Sequence, residues 1–195
     1  VFINNLAPNL YNSFSIVILG LFGGGGANGI YDGGNKFFTI TTGLLNTITR
    51  AFFPFIARKQ DKHGLYVKIV ICTSIIAASV MFISAPLFVK VMLSSEFSQS
   101  EIVIRILSIS MIFYVLSDAY GACYLIIHKR EKVMRQVTIF VSIIGMMISF
   151  PLIYYLSYIG AALTVTISRF LLGVLTMIVA KSNIDDLFTI RMHNK

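Results

Sequence analysis

The sequence has no polar segment long enough to form a domain outside a membrane, and charged residues make up only 12% of its 195 positions. Whatever the chain does, it does within a membrane or at its faces. Its two cysteines, Cys72 and Cys123, lie inside apolar runs. Each is expected to be a small buried hydrophobe with no redox or metal duty. The 3 histidines stand at or beyond the ends of apolar stretches with no second ligand at metal spacing. No metal or cofactor is expected. The glycine run 23–26 is not followed by the lysine a phosphate-binding loop needs, and it reads as a tight hairpin. No paired carboxylates and no nucleophile–base arrangement are present, so an ATPase or hydrolase has no support. The sequence begins at Val1, not at a methionine, and shows no charged leader with a cleavage site. Asn4, Asn5, Pro8, Asn9 and Asn12 make the first apolar stretch a poor start for insertion. The expectation is a fragment with earlier spans upstream.

What fills the chain is apolar: 56% hydrophobic residues and a mean hydropathy of +0.83. Six stretches of about 20 residues each match the ~30 Å hydrocarbon core that a helix must cross. They read as residues 2–22, 29–56, 65–93, 102–127, 133–156 and 160–180. A helix satisfies its own backbone hydrogen bonds in lipid. The expected fold is therefore all-α, a polytopic transmembrane bundle, with residues 1–181 as one six-helix lobe and 182–195 as a tail. The second link carries Arg58, Lys59, Lys62 and His63, and the fourth carries His128, Lys129, Arg130 and Lys132. The third link holds Glu96 and Glu101, and the first and fifth are uncharged. Lysine and arginine concentrate in cytoplasmic loops, so both ends of the chain are expected in the cytoplasm. The net charge of +8 is then a matter of topology and anionic lipid heads. No basic stripe with interleaved aromatics suits nucleic acid.

Polar residues inside the spans fall on faces. In the second span Asp32, Lys36, Thr39, Gly43, Asn46 and Arg50 recur at spacings of four and three, one continuous helix face. Lys36 and Arg50 stand about 21 Å apart along the axis. Ionisable groups at this depth need water or a partner. A pair of Asp32 with Lys36 and a snorkelling Arg50 would satisfy the ends alone. The aligned Thr39, Gly43 and Asn46 favour a helix lining a wet cavity. In the first span Asn5, Asn9 and Asn12 share a face, and Pro8 is expected to kink the helix. The sixth span aligns Ala162, Thr166, Arg169, Gly173 and Thr176, a small-residue packing face interrupted by one deep arginine. The fourth carries Asp118, which must be paired, protonated or hydrated. Asp118 and Arg169 are candidates for an ion pair or for ion coupling. The third and fifth spans are bland, with Pro151 as a kink or stop, and are expected to face lipid.

The second span also carries a resemblance. Residues 29–36, Gly-Ile-Tyr-Asp-Gly-Gly-Asn-Lys, run on through Asn46 to Arg50-Ala51-Phe52-Phe53-Pro54. This resembles the segment of Wzx-type O-antigen and exopolysaccharide flippases that opens on a glycine–tyrosine pair, passes a lysine and ends in a phenylalanine–proline turn. These belong to the multidrug/oligosaccharidyl-lipid/polysaccharide exporter superfamily. Tyr31, Lys36 and Pro54 match, while Gly33-Gly34 departs from the commoner residues there. The resemblance implies the C-terminal lobe of a two-lobe transporter in the bacterial inner membrane. It implies alternating access for an undecaprenyl-pyrophosphate-linked oligosaccharide. The implied partners are that lipid-linked sugar, membrane lipids, an N-terminal lobe, a glycan polymerase and a chain-length regulator. Lys36 and Arg50 would attract the headgroup, and Arg169 would do the same or neutralise Asp118. The alternatives are a multidrug or ion antiporter or peptidoglycan-precursor flippase of the same fold, a membrane-embedded glycan polymerase or ligase, and a non-transporting helical subunit.

Overall fold

The structure is a computed structural model that describes the backbone of residues 2–59, 62–93 and 95–193 and the side chains of 13–56, 58–59, 62–93, 96–121 and 123–182. Among the described residues every regular element is helical. These are α1 (Phe2–Arg58), α2 (His63–Met92), a 3-10 turn at Ser95–Phe97, α3 (Ser100–Ser117), a π-helical continuation at Asp118–Leu125, and α4 (Glu131–His193).

Counted as continuous helices, four are long and apolar enough to cross a membrane, where the sequence pattern predicts six. The difference lies in how two turns are made. The 57 residues of α1 would extend about 85 Å if straight, far beyond the ~30 Å of hydrocarbon. Instead the chain breaks at Gly24 (φ 71, ψ 178). A β-carbon placed at Gly20 would lie 2.9 Å from Asn28 Nδ2. Eight residues of straight helix rise roughly 12 Å, so the chain has doubled back between them. α4 breaks in the same way at Ser157 (φ 49, ψ −127), where a β-carbon at Gly160 would run into the Leu152 carbonyl. Helix hydrogen bonding resumes so promptly that each hairpin costs one non-helical residue. α1 and α4 thus each supply two antiparallel limbs, 2–23 with 25–58 and 131–156 with 158–193. The chain passes Pro151 in helical conformation and reverses six residues later.

The two hairpins meet at one end of the bundle. A β-carbon at Gly23 would be 3.0 Å from Ser157 Oγ, and the Phe22 ring lies edge-on to Phe150 and Tyr154 at 5.4 and 5.8 Å. The α2–α3 connection sits at this end too, with Phe97 against Gly29. At the opposite end the two basic links come together. His63 Nε2 lies 3.3 Å from the Ala119 carbonyl oxygen, its ring is 5.1 Å from Tyr124, and Tyr124 is 4.2 Å from His128.

The interior is built where the second limbs of α1 and α4 pack on α3. The second limb of α1 runs parallel to α3, with partners about 70 residues apart along the chain. Ser100 Oγ donates to the Ile30 carbonyl (2.7 Å), and 14 residues further on Tyr114 Oη donates to Asn46 Oδ1 (2.8 Å). Gly33 and Gly34 explain themselves here. A β-carbon on Gly34 would stand 2.7 Å from Val103 and 3.2 Å from the Ser100 carbonyl oxygen, so the departure from the resembled pattern permits close helix approach. The other side of α3 takes the last limb of α4: Thr166 Oγ1 donates to the Ile106 carbonyl at 3.3 Å. Phe38, Leu45, Val103, Leu107, Met111 and Ala162 are buried between them.

Hydroxyls in this bundle mostly bond their own helix. Thr39, Thr41, Thr47 and Thr138 each donate to the carbonyl four residues earlier at 2.8–3.0 Å, which satisfies each hydroxyl within its own helix. α2 presents Ile69, Ile76, Val80, Ile83, Leu87 and Val91 on its exposed side. Cys72 belongs to that exposed side as well, which corrects the expectation that both cysteines are buried. Cys123 is buried, with its sulfur 3.2 Å from Tyr66 Oη.

Candidate functional site: an exposed polar face beside an enclosed arginine

The polar face of the second span divides in two. Asp32, Lys36, Thr39, Gly43 and Arg50 are exposed on the surface of the lobe. Lys36 Nζ lies 3.3 Å from Asp32 Oδ2, one helical turn away. Gly43 has open space around it: a β-carbon there would meet nothing within 4 Å. Asn46 is turned inward and half-buried, held by Tyr114. The periodicity placed all six residues on one face. It could not show that α3 covers one edge of that face.

Arg169 is half-buried, roughly 18 Å along the axis from the Ser157 break at 1.5 Å per residue. Its guanidinium carbon is 4.1 Å from the Phe38 ring centroid and 5.2 Å from that of Tyr114. Both distances lie within the range of a cation–π contact. Its Nε and Nη1 are buried without a hydrogen-bond acceptor. Ala162 and Thr176 on the same face are fully buried, and a β-carbon on Gly173 would be 2.8 Å from the Phe113 carbonyl oxygen. Most of that face is therefore helix packing, as small residues imply.

Asp118 begins the π-helical turn, in which Ile126 N donates to the Gly121 carbonyl five residues back. Such turns admit one extra residue and re-aim the side chains around it. The polar groups that act on Asp118 include the Thr49 hydroxyl and the Arg50 charge, with Tyr66, Tyr114 and Cys123 in electrostatic range. The ion pairs among the described residues are Asp32–Lys36 and Glu101–Arg105. The expected pair of Asp118 with Arg169 is thus not formed: α1 supplies the cation near Asp118, and aromatic rings surround Arg169. The side chains of Asn5, Asn9 and Asn12, like that of Pro8, lie outside the described residues, and the non-helical residue of α1 is Gly24.

Three contributors carried little signal in the sequence. Tyr114 precedes Asp118 by one turn, which put it on the same face. Thr49 is adjacent to Arg50 but points to the other side of the stripe. Phe38 looks like any apolar core residue, and only the structure places its ring on a cation.

Paired hairpins, lipid-length helices and polar groups gathered on inner or shared faces define a multi-pass helical membrane protein. A family model described as polysaccharide biosynthesis protein matches residues 1–60. A relative from Escherichia coli (strain K12), named "Putative O-antigen transporter", is 27% identical over 191 residues, covering 94% of this chain and 46% of the relative. A relative of the same name from Shigella dysenteriae is 23% identical over 177 residues, covering 88% of this chain and 44% of its own. The chain spans just under half the length of these curated relatives. No solved structure matches. These matches agree with the resemblance read from the second span: the chain is similar to a polysaccharide biosynthesis family over residues 1–60 and to curated relatives named O-antigen transporters over most of its length.

Proposed function

We propose that this chain forms one lobe of a transporter that moves an undecaprenyl-pyrophosphate-linked oligosaccharide across the bacterial inner membrane by alternating access. The observation that carries the reading is the exposed face of Asp32, Lys36, Thr39, Gly43 and Arg50 on an otherwise lipid-compatible lobe. Charged residues facing hydrocarbon are costly. A second lobe laid opposite would turn this face into the wall of an aqueous cavity. Cationic groups there suit a pyrophosphate, and the Thr39 hydroxyl suits a sugar. The relatives' names and the family model support export of polysaccharide over enzymatic polymerisation or ligation. The short links support the same choice, since they offer no outward platform for a glycan acceptor. Two lobes rocking about a midplane site would give inward and outward access in turn.

The test is reconstitution of the full-length protein in vesicles with a fluorescent undecaprenyl-pyrophosphate-linked sugar. The expected result is protein-dependent movement of label between leaflets. Chain growth or sugar transfer without movement would favour the enzyme reading. Lys36→Ala with Arg50→Ala should slow movement by roughly tenfold or more, corresponding to one lost charge-assisted contact of about 1.4 kcal/mol. Lys36→Arg and Arg50→Lys should retain most of it. Unchanged movement by a stably inserted double-alanine protein would reduce the two cations to membrane anchors.

A further inference from the structure

The seam between α2 and α3 holds a groove of about 260 Å3, open on the surface of the lobe. Ile75, Ala78, Phe82 and Ile83 of α2 form one wall, on a single helix face. Ile109 and Ile112 of α3 form the other. α2 has no charged residue between Lys68 and Lys90, so the medium that suits this side of the lobe is hydrocarbon. One end of the groove is charged. Glu101, Arg105, Ile109 and Ile112 follow at spacings of four, four and three, one face of α3. The Arg105 guanidinium carbon lies 5.4 Å from the ring centroid of Phe82 in the groove wall. Arg105 Nη2 lies 2.6 Å from Glu101 Oε1, and the pair stays open, with 43% of the Arg105 side chain and 32% of the Glu101 side chain exposed. Arg105 stands about 8 Å along the axis from the start of α3 at Ser100. From Phe82 to Ile75 the wall runs about 10 Å further toward the basic end of the bundle. A charged pair near the membrane edge, with an apolar trough leading inward from it, matches a lipid headgroup and its chain.

We propose that this groove binds one phospholipid of the leaflet opposite the basic links, phosphatidylethanolamine, with an acyl chain along Phe82 and Ile109, its phosphate on Arg105 and its ammonium on Glu101. The headgroup decides the choice. A chain that leaves the bilayer for the groove passes from one hydrocarbon medium to another and gains little. The groove alone would therefore take any lipid, and the charged pair selects. A guanidinium has five N–H donors and a carboxylate about four acceptor sites. The bond between Arg105 and Glu101 leaves both with capacity for a ligand that brings both signs of charge. The ethanolamine headgroup carries an ammonium with three N–H donors beside its phosphate. A choline headgroup carries the same charges but has no N–H to donate. A glycerol headgroup has the phosphate and no cation, and sets a second negative charge against Glu101. None of the groove residues lies on the exposed polar face of α1, so the site stands apart from the transport reading.

The test uses the full-length protein in detergent micelles and counts bound lipids by native mass spectrometry. Dioleoyl phosphatidylethanolamine, phosphatidylcholine and phosphatidylglycerol are titrated separately. Ile109→Trp fills the groove and should remove one bound lipid whatever its headgroup, which marks the site among any others on the protein. At that site the unaltered protein is expected to bind the ethanolamine lipid roughly three- to tenfold more tightly than the choline lipid. Glu101→Gln keeps the shape of the side chain and removes its charge. It should abolish the preference for ethanolamine and leave glycerol-lipid binding equal or tighter. Arg105→Gln should weaken the ethanolamine and glycerol lipids alike, by about tenfold. Lys90→Gln, at the same end of the bundle but outside the groove, should change nothing. Glu101→Gln carries the test if Arg105→Gln or Ile109→Trp does not accumulate. A lipid count that Ile109→Trp leaves unchanged would overturn the proposal. So would an ethanolamine preference that survives Glu101→Gln, or equal affinity for the ethanolamine and choline lipids in the unaltered protein. Tighter binding of the glycerol lipid than of the ethanolamine lipid would make Arg105 a plain anion site and overturn the headgroup assignment.

Discussion

At the residue scale, glycine separates into positions that are filled from outside and positions that are open. Gly34 lies against α3 so closely that a β-carbon would come within 2.7 Å of Val103 and 3.2 Å of a backbone oxygen. Gly43 faces open space. Gly34→Val should lower the melting temperature of the purified protein, with a loss of about 1–3 kcal/mol from overpacking. Gly43→Ala should leave abundance unchanged or gain about 0.5–1 kcal/mol from reduced backbone freedom. Comparable losses at both positions would mean that the α1–α3 contact is not where the fold is tight. The charged residues give a second prediction at this scale. Asp118 keeps company with Thr49 and Arg50, and Arg169 with two rings. Asp118→Asn and Arg169→Gln should therefore have losses that add within about 0.5 kcal/mol, measured as transport or thermal stability in a double-mutant cycle. A double variant that recovers part of either loss would show a pair.

At the element scale, the breaks at Gly24 and Ser157 do similar jobs with different residues. Gly24 tolerates φ 71 without a side-chain clash, but Ser157 at φ 49 and ψ −127 holds a conformation that L-residues seldom adopt. Ser157→Gly should relieve that strain and raise thermal stability by about 1 kcal/mol. A fall in melting temperature would show that the Ser157 hydroxyl beside Gly23 matters more than the backbone. The sequence marked both hairpins, one strongly and the other faintly. A run of four glycines between two apolar stretches is a turn signal on its own, while Leu156-Ser157-Tyr158 is flanked by helix formers and marked only by missing charge. The polar face of the second span was legible because helical periodicity is local. Its division into exposed and covered parts was not, because the cover comes from α3, some 70 residues away. The π-helical turn at Asp118 had no signature in composition. It shifts by one residue the register of the helix that follows Asp118.

At the scale of the whole molecule, the ends of the bundle carry the topology. The turns at Gly24 and Ser157 and the Ser95–Phe97 connection gather at one end, through the contacts of Gly23 with Ser157 and of Gly29 with Phe97. The links around Lys59 and Lys129 gather at the other, through His63, Tyr124 and His128. An odd and an even set of links on opposite ends is what six crossings require, and it was legible in the alternation of loop charge. Lys59, Lys62, Lys129, Arg130 and Lys132 resist translocation, so their end is expected in the cytoplasm. The structure brings the basic links together at that end. Single cysteines at Lys59, Lys132 and Ser98, all exposed, settle its compartment in the full-length protein once its native cysteines, Cys72 and Cys123 among them, are replaced. With an impermeant thiol reagent outside spheroplasts, the Ser98 position should label and the other two should label only after permeabilisation. Labelling of Lys59 and Lys132 from outside would invert the molecule. Labelling of Lys59 without Lys132 would be harder to reconcile, because it would separate two links that the His63–Tyr124 contact holds at one end. It would count against the hairpin reading of α1 and α4, and with it against a lobe whose polar face spans the membrane.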